Sequence, residues 1–523
     1  MNHIELFAGC GGLCLGLTKA GFTLTLANEL SPMAAETFAY NFFGENLLDY
    51  PEDSTRTLWI ESNFARADMR KRLREDPRTC PVAKNRDLAD DGSNLEGSLV
   101  VGTILSLNSW LEGHPEALQK LKSGFGQGGV DLVSGGPPCQ SFSLAGLREK
   151  NNAKNSLPWA FAKFVELVQP KSVLLENVSG ILRPFNENGK KYHAWFEITK
   201  AFVSIGYVPL PLHINAKFAG VAQNRPRFIL ICLRHDVFES ITPTFSESEK
   251  KIFEGSKKFY ELVRSGGVVN IKDISVLDLN NLDLDVWRLF RSSFLAPLAT
   301  CMESYVSVQD AIGDLKTENP SKKSTYVKNL NNTLNGLLAK QTQEDQTNRL
   351  IVNQPRVRRR FRIYQILAQK NISPQTRKDA YAFIAGKIHE LSNYAWQELR
   401  HKSYLLGSGC YGFFDKKEEF EAYLKEHLTK KQTQRALVAD QPAPAALSIP
   451  DDACHYSELR TLSAREMARI QSFPDGFKFR SKMTTGGSSR QYEVPIYTQI
   501  GNAVPVLLGV ALGNAVKSLL NRL

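Results

Sequence analysis

At 523 residues, with 42% hydrophobic and 23% charged residues, the chain is too long for one ordinary core and too apolar for disorder, so two or three folded domains are expected. A formal net charge of +11 points to a polyanionic partner, most simply nucleic acid, although composition alone does not demand one. Eight scattered cysteines, without a CxxC pair or zinc-like His/Cys spacing, argue against a metal site and for free thiols in a reducing cytoplasm.

The first residues carry neither a charged flank nor a long apolar run, so no signal peptide is expected. His3 to Phe7 alternate as a short strand that ends in Ala8-Gly9-Cys10-Gly11-Gly12, and an apolar helical pattern follows through Leu13, Leu15, Leu17 and Ala20. Strand, glycine turn and helix open a nucleotide-type α/β unit, although a glycine turn alone fits an ordinary tight turn as well. The dinucleotide fingerprint GxGxxG fails because Cys14 occupies its third glycine position, which argues against NAD. The next strand, Phe22 to Asn28, ends at Glu29, where an acid is placed to accept hydrogen bonds from ribose hydroxyls.

Pro32 to Phe43 reads as a helix. Residues 44–98 are polar and irregular, with mixed charge in Arg70-Lys71-Arg72-Leu73-Arg74-Glu75-Asp76, and read as an insertion at a sheet edge. Leu99 to Ile104 is the next strand and its tip. Val130 to Ser134 is another, and Gly135-Gly136-Pro137-Pro138 behind it form a rigid turn that carries Cys139. An arbitrary cysteine is most often a small buried hydrophobe. One mounted on a stiff turn at the C-terminal end of a strand, where open α/β sheets bind ligands, reads as a reactive thiol. Ser172 to Leu175 brings Glu176 to the same sheet edge. Alone, Glu176 reads as a capping acid; near a thiol and a substrate it is placed to act as a general acid. Strands Tyr207 to Asn215 and Phe228 to Leu233 flank Gln223-Asn224-Arg225-Pro226-Arg227, a basic turn that suits an anionic partner or is simply solvated.

From about Arg234 to about Tyr456 strand–helix alternation fades and no internal repeat is present. Arg356, Arg358, Arg359, Arg360 and Arg362 crowd together beside Phe361 and Tyr364, which looks more like a nucleic-acid contact than a solvated face. Gln432 to Ser448 reads as a loop or linker. Ser463 and Glu466 form a capping box that opens a helix from Ala464 to Ser472, ended by Pro474 and Gly476. The apolar segment Ile500 to Leu520 contains Asn502, Pro505, Asn514 and Lys517, and reads as a packed core helix rather than a membrane span.

Taken in order, FAGCGG (Phe7–Gly12), GGPPCQSFS (Gly135–Ser143), ENVSG (Glu176–Gly180), QNRPR (Gln223–Arg227), RTLSAREMARIQSFPD (Arg460–Asp475) and QIGNAVP (Gln499–Pro505) resemble the sequence blocks of DNA cytosine-5 methyltransferases. The resemblance implies a doubly wound, Rossmann-like α/β methyltransferase domain with a separate, smaller target-recognition domain. Residues 1–235 would form the catalytic, S-adenosylmethionine-binding domain. Residues 236–495 would form the target-recognition domain and an adjoining helix, and 496–523 a C-terminal helix returning to the catalytic domain. By the same resemblance, Phe7, Gly9 and Gly11 line the cofactor pocket, Glu29 holds the ribose and Asn502 closes the site. Cys139 is then the nucleophile for cytosine C6, Glu176 contacts N3 and the exocyclic amine, Arg227 stabilises charge at O2, and Arg225 helps hold the base and Glu176.

Gln140 and Ser143, beside the nucleophile, are expected to hold or replace an extruded base. Arg356, Arg358, Arg359 and Arg360 are expected to contact DNA. Two departures from the family pattern bear on the site. Thr103 stands where similar enzymes usually carry an Asp for the adenine amine, with Asp68 of the insertion a poor substitute, and Asn155-Ser156-Leu157 replaces a usual Asp/Arg-containing run. The setting implied is a bacterial restriction–modification system: a cytoplasmic, monomeric enzyme acting on double-stranded DNA, with a cognate restriction endonuclease as functional partner and no membrane association. The rival readings are a tRNA cytosine-5 methyltransferase, against which the long middle region argues, and a non-enzymatic DNA-binding protein. Intact Cys139, Glu176, Arg225 and Arg227 argue against the latter.

Overall fold

The computed structural model describes residues 1–49, 55–79, 85–138, 157–187, 190–281, 283–431, 433–445 and 449–523. Its largest feature is a nine-stranded sheet in the order β9-β7-β8-β6-β5-β1-β2-β4-β3. These strands are β1 (Asn2–Leu6), β2 (Thr23–Glu29), β3 (Thr57–Trp59), β4 (Ser98–Val101), β5 (Leu132–Gly135), β6 (Ser172–Val178), β7 (Tyr207–Asn215), β8 (Pro226–Arg234) and β9 (Leu277–Asp278). β8 alone runs against its neighbours, β6 and β7. Every residue of β1, β4 and β5 is buried, as in strands covered on both faces, which is why they read as short unbroken apolar runs. β2 lies on one side of β1 and β5 on the other. The winding direction therefore changes at β1, and in an open α/β sheet the crevice at the C-terminal strand ends beside that change is where ligands bind.

The glycine turn after β1 leads into α1 (Gly12–Ala20). Gly11 has φ of 97°, and a Cβ there would lie 2.2 Å from the Phe42 ring, so the turn has room only for glycine. α2 (Pro32–Phe42) is capped by the Ser31 side chain, which accepts the Ala34 N–H. α3 (Ile104–Gly113) follows β4. At the other end of the chain, α8 (Val506–Leu520) packs along α1. A Cβ on Gly16 would come within 2.7 Å of the Gly509 backbone, so small residues set this close crossing. Among the described residues no single helix is long and apolar enough to cross a membrane.

Two stretches differ from their sequence readings. Residues 44–98 are not simply an irregular insertion, because they supply β3, which pairs with β4 on the sheet edge. Part of their charge is structural. Arg72 is buried and pairs with Asp87 at 2.6 Å, and Asp87 also accepts the Trp59 N–H at 3.0 Å. A three-residue strand is too short for alternation to show against such polar surroundings.

The packing also does not change at residue 236. Buried residues from Val237 to Ala299 belong to the main core. α4 (Glu247–Arg264) lies against β7, and β9 extends the sheet. A separate apolar core gathers between Phe361 and Cys454. Another joins residues 308–338 and 437–506 to Cys10 and Leu15 at the glycine turn. This region is mostly helical and its strands are two residues long, so alternation fades from the sequence while packing on the sheet continues.

Buried histidines, His3 and His455 among them, give the fold an acid limit. His3 lies within β1, and burial lowers its pKa to about 3. Burial also holds His455 well below its ordinary value, and its Nδ1 accepts the N–H groups of Ser457 and Glu458 at 3.2 and 3.0 Å. Unfolded histidine takes up a proton near pH 6.5, whereas these two stay neutral in the folded chain. The unfolded state therefore binds more protons below that pH, and stability falls as pH falls. Each histidine should remove about 2 kcal/mol by about pH 5. Urea unfolding at pH 7.5 and pH 5.0 checks this, and a His3→Asn variant should show a shallower pH slope.

Candidate active site

Phe7, at the tip of β1, has φ of 56°, a left-handed backbone that is uncommon outside glycine. Its ring stacks on Phe161 with 6.4 Å between centroids. Gly9, with φ of 57°, faces open space, with nothing within 4 Å of where a Cβ would stand. The Gly9 N–H donates to Glu29 Oε2 at 2.7 Å, and the Ser31 N–H donates to Glu29 Oε1 at 2.8 Å. The structure thus ties the predicted acid directly to the predicted glycine turn. Burial raises the Glu29 pKa, and hydrogen bonds from Ser31 and Gly9 offset part of that rise. α1 begins with no side-chain cap, so its first-turn N–H groups suit an anionic ligand group such as a carboxylate.

On the other side of β2 a shallow cleft, open to solvent, lies between Leu30, Pro32, Val101, Gly102 and Thr103. Thr103 accepts the Ser106 N–H at 3.0 Å and caps α3. Asp68 pairs with Lys71 at 3.2 Å and does not line the pocket. Asn502 ends α7 (Ile496–Asn502) and is exposed. The segment just after it covers the start of α1, since a Cβ on Gly12 would lie 2.4 Å from the Val504 carbonyl.

At the β6 end, Glu176 Oε1 lies 2.7 Å from Arg227 Nε, with both side chains buried. The register explains the meeting. Arg227 stands opposite Val178 in the antiparallel β6–β8 pair, so Arg227 and Glu176 share a face one diagonal apart. The turn that precedes Cys139 rests on the same residues. A Cβ on Gly136 would lie 2.9 Å from Glu176 Oε2, and Asn177 Nδ2 donates to the Pro137 carbonyl at 3.2 Å. The sequence marked Gly136 only as part of the rigid turn and gave Asn177 no role of its own, although two glycines before two prolines signal a close backbone approach. Cys139, Gln140, Ser143 and Asn155-Ser156 lie outside the described residues.

Arg225 departs from its expected role of holding Glu176. Its Nη2 donates to the carbonyls of Gly501 and Ala503 at 3.0 and 3.1 Å, clamping the segment after α7 to this basic turn. Burial, followed by the neighbouring Arg227 charge, weighs against the Arg225 cation, and Glu176 supplies the compensating charge. The arginine run is also corrected. It lies on α5 (Pro355–Leu367), whose 3.6-residue turn sends consecutive side chains to different faces. Arg356 and Arg358 are exposed, Arg359 is half-buried and Arg360 is buried. Arg356 donates to the Glu426 carbonyl, and Arg359 lies 3.9 Å from the Glu426 carboxylate. Arg360 therefore belongs to the interior and not to a DNA-facing surface.

An acid-tipped second strand bound to a glycine turn at the switch point of the sheet makes this a doubly wound nucleotide-type binding domain. The family model described as C-5 cytosine-specific DNA methylase matches residues 1–69 and 116–518, and the chain belongs to that family. It is a cytosine-C5 DNA methyltransferase, and enzymes of this family take their methyl group from S-adenosylmethionine. The unmatched residues between these blocks include Arg72, Asp87, β4 and Thr103. The type II methyltransferase M.DdeI of Desulfomicrobium norvegicum is 26% identical over 522 residues, spanning 99% of this chain and 88% of that one. The type II methyltransferase M.PspPI of a Psychrobacter species is 24% identical over 524 residues, spanning 99% and 79%. The type II methyltransferase M.NgoPII of Neisseria gonorrhoeae is 31% identical over 238 residues, spanning 45% and 49%.

Proposed function

We propose that the chain is the modification enzyme of a type II restriction–modification system. It methylates C5 of a cytosine flipped out of one duplex sequence, through a covalent Cys139–C6 adduct. A cognate endonuclease in the same cell, action as a monomer and a cytoplasmic location complete the reading. The observation that carries it is the buried Glu176–Arg227 pair set against the Gly136-Pro137 turn that leads to Cys139.

The open face at Gly9, the Glu29 carboxylate and the uncapped start of α1 fit a nucleoside carrying an amino-acid end. Glu29 would hold the ribose, the α1 N-terminus the carboxylate, and the pocket beyond Leu30 the base. Bound S-adenosylmethionine supplies an electrophilic methyl group on a sulfonium sulfur. Cytosine C5 is a weak nucleophile until the ring is activated. The Cys139 thiolate adds to C6, forming the C6–S bond, while Glu176 protonates N3 and accepts from the exocyclic amine. Arg227 fixes the Glu176 carboxyl and faces the charge that develops at O2. Once C5 is methylated, a base removes its proton, the C5–C6 double bond re-forms, the C6–S bond breaks and the N3 proton returns to Glu176.

Bisulfite sequencing of DNA from cells expressing the protein tests this reading. Fully methylated cytosines should appear in one short sequence context and vanish with Cys139→Ser. Methylation that persists in that variant, or none with the wild-type chain, would contradict it.

A further inference from the structure

The segment that carries β3 builds one wall of the proposed cofactor pocket. From the ribose position at Glu29, a base has two directions along the strand tips. The β1 side holds the glycine turn, so the open side is β4, where Leu30, Pro32 and Val101 offer apolar faces to a flat ring. An exocyclic amine at the far end of that ring needs an acceptor. Thr103 already accepts the Ser106 N–H. Glu75 lines the pocket, but its Oε2 accepts the Asn63 N–H at 3.1 Å. Glu61 also lines the pocket, is half-buried, and makes no hydrogen bond or ion pair among the described residues.

Glu61 is also held in place. The Ile60 N–H before it donates to the Val101 carbonyl at 3.0 Å, and the Ser62 N–H after it donates to the Asn85 carbonyl at 3.1 Å. One step back, Trp59 is pinned through Asp87 to the buried Arg72. A buried ion pair therefore stiffens a strand whose next residue but one is a free carboxylate at the pocket rim. Preorganisation of this kind is what amine recognition requires.

We infer that Glu61 is the acceptor for the adenine exocyclic amine, so that the segment following β3, and not the tip of β4, supplies base selectivity in this enzyme. The inference rests on the cofactor site proposed above. Calorimetric titration with S-adenosylhomocysteine and with its 6-desamino analogue, which bears hydrogen in place of the amine, tests it. The wild-type chain should bind the amino ligand at least about tenfold more tightly than the desamino one. Glu61→Ala should weaken only the amino ligand and abolish the preference, whereas Glu75→Gln should keep it. Glu29→Ala should weaken both ligands alike. A preference intact in Glu61→Ala, or lost only in Glu75→Gln, overturns the assignment to Glu61 while a weakened Glu29→Ala leaves the cofactor site standing. Unchanged binding in Glu29→Ala overturns the cofactor-site reading itself.

Discussion

Glu176→Gln should lower methyl transfer at saturating DNA by at least about 100-fold, through loss of the group that protonates and orients the base. It should also cost about 3–5 kcal/mol of stability, because Glu176 is the counter-charge for two buried guanidinium groups. Glutamine preserves the shape, so the stability loss reports uncompensated charge and not a cavity. The double variant Glu176→Gln with Arg227→Met removes the stranded Arg227 cation and should recover part of the stability. Its activity should stay lost. Urea unfolding together with a methyl-transfer assay separates the two effects, and recovered activity in the double variant would contradict the assigned role of the pair.

Arg469→Leu should be among the most destabilising substitutions outside the active site. Arg469 is buried on α6 (Ala464–Ile470). Its Nε meets Asp475 at 2.7 Å, and Nη1 donates to Asp314, a residue of the middle region. Burial works to raise the Asp475 pKa, and the Arg469 bond and charge more than offset it, holding the carboxyl below its ordinary range. Leucine would remove the guanidinium partner of Asp314 and leave Asp475 with only Asn331 at 2.9 Å and Lys323 at 3.3 Å, at a cost of about 3–5 kcal/mol at pH 7. The depressed Asp475 pKa contributes stability above the unfolded pKa of about 4, and that contribution is lost as pH falls through the folded value. The difference between variant and wild type in urea unfolding should therefore narrow below about pH 4.

Much of the main sheet could be read from the sequence because its strands are buried on both faces and bounded by glycine or proline. β2, β6, β7 and β8 fall within a few residues of their expected places, and the Ser463–Glu466 capping box forms as expected. The Gly9–Glu29 bond was legible because a turn and an acid in successive parallel strands must end at one sheet edge. Less legible were features that depend on side-chain direction. Five arginines between Arg356 and Arg362 look like one surface in a linear chain, and the helix disperses them. Arg225 and Arg227 flank Pro226 and look alike, yet one faces Glu176 and the other the carbonyls of Gly501 and Ala503. β3 and Glu61 were hidden by a polar run whose charge pairs internally through Arg72 and Asp87.

The proposed reaction turns on one bond, between Cys139 and cytosine C6. Target duplex carrying 5-fluorocytosine, whose C5 bears fluorine in place of the proton that must leave before the C6–S bond can break, should stall the enzyme after methylation. Incubation with this DNA and S-adenosylmethionine, followed by denaturing electrophoresis and peptide mapping, should recover a cofactor-dependent covalent complex through Cys139. An adduct mapped to Cys10 or Cys14, or no adduct from an enzyme that methylates the unfluorinated duplex, would contradict it.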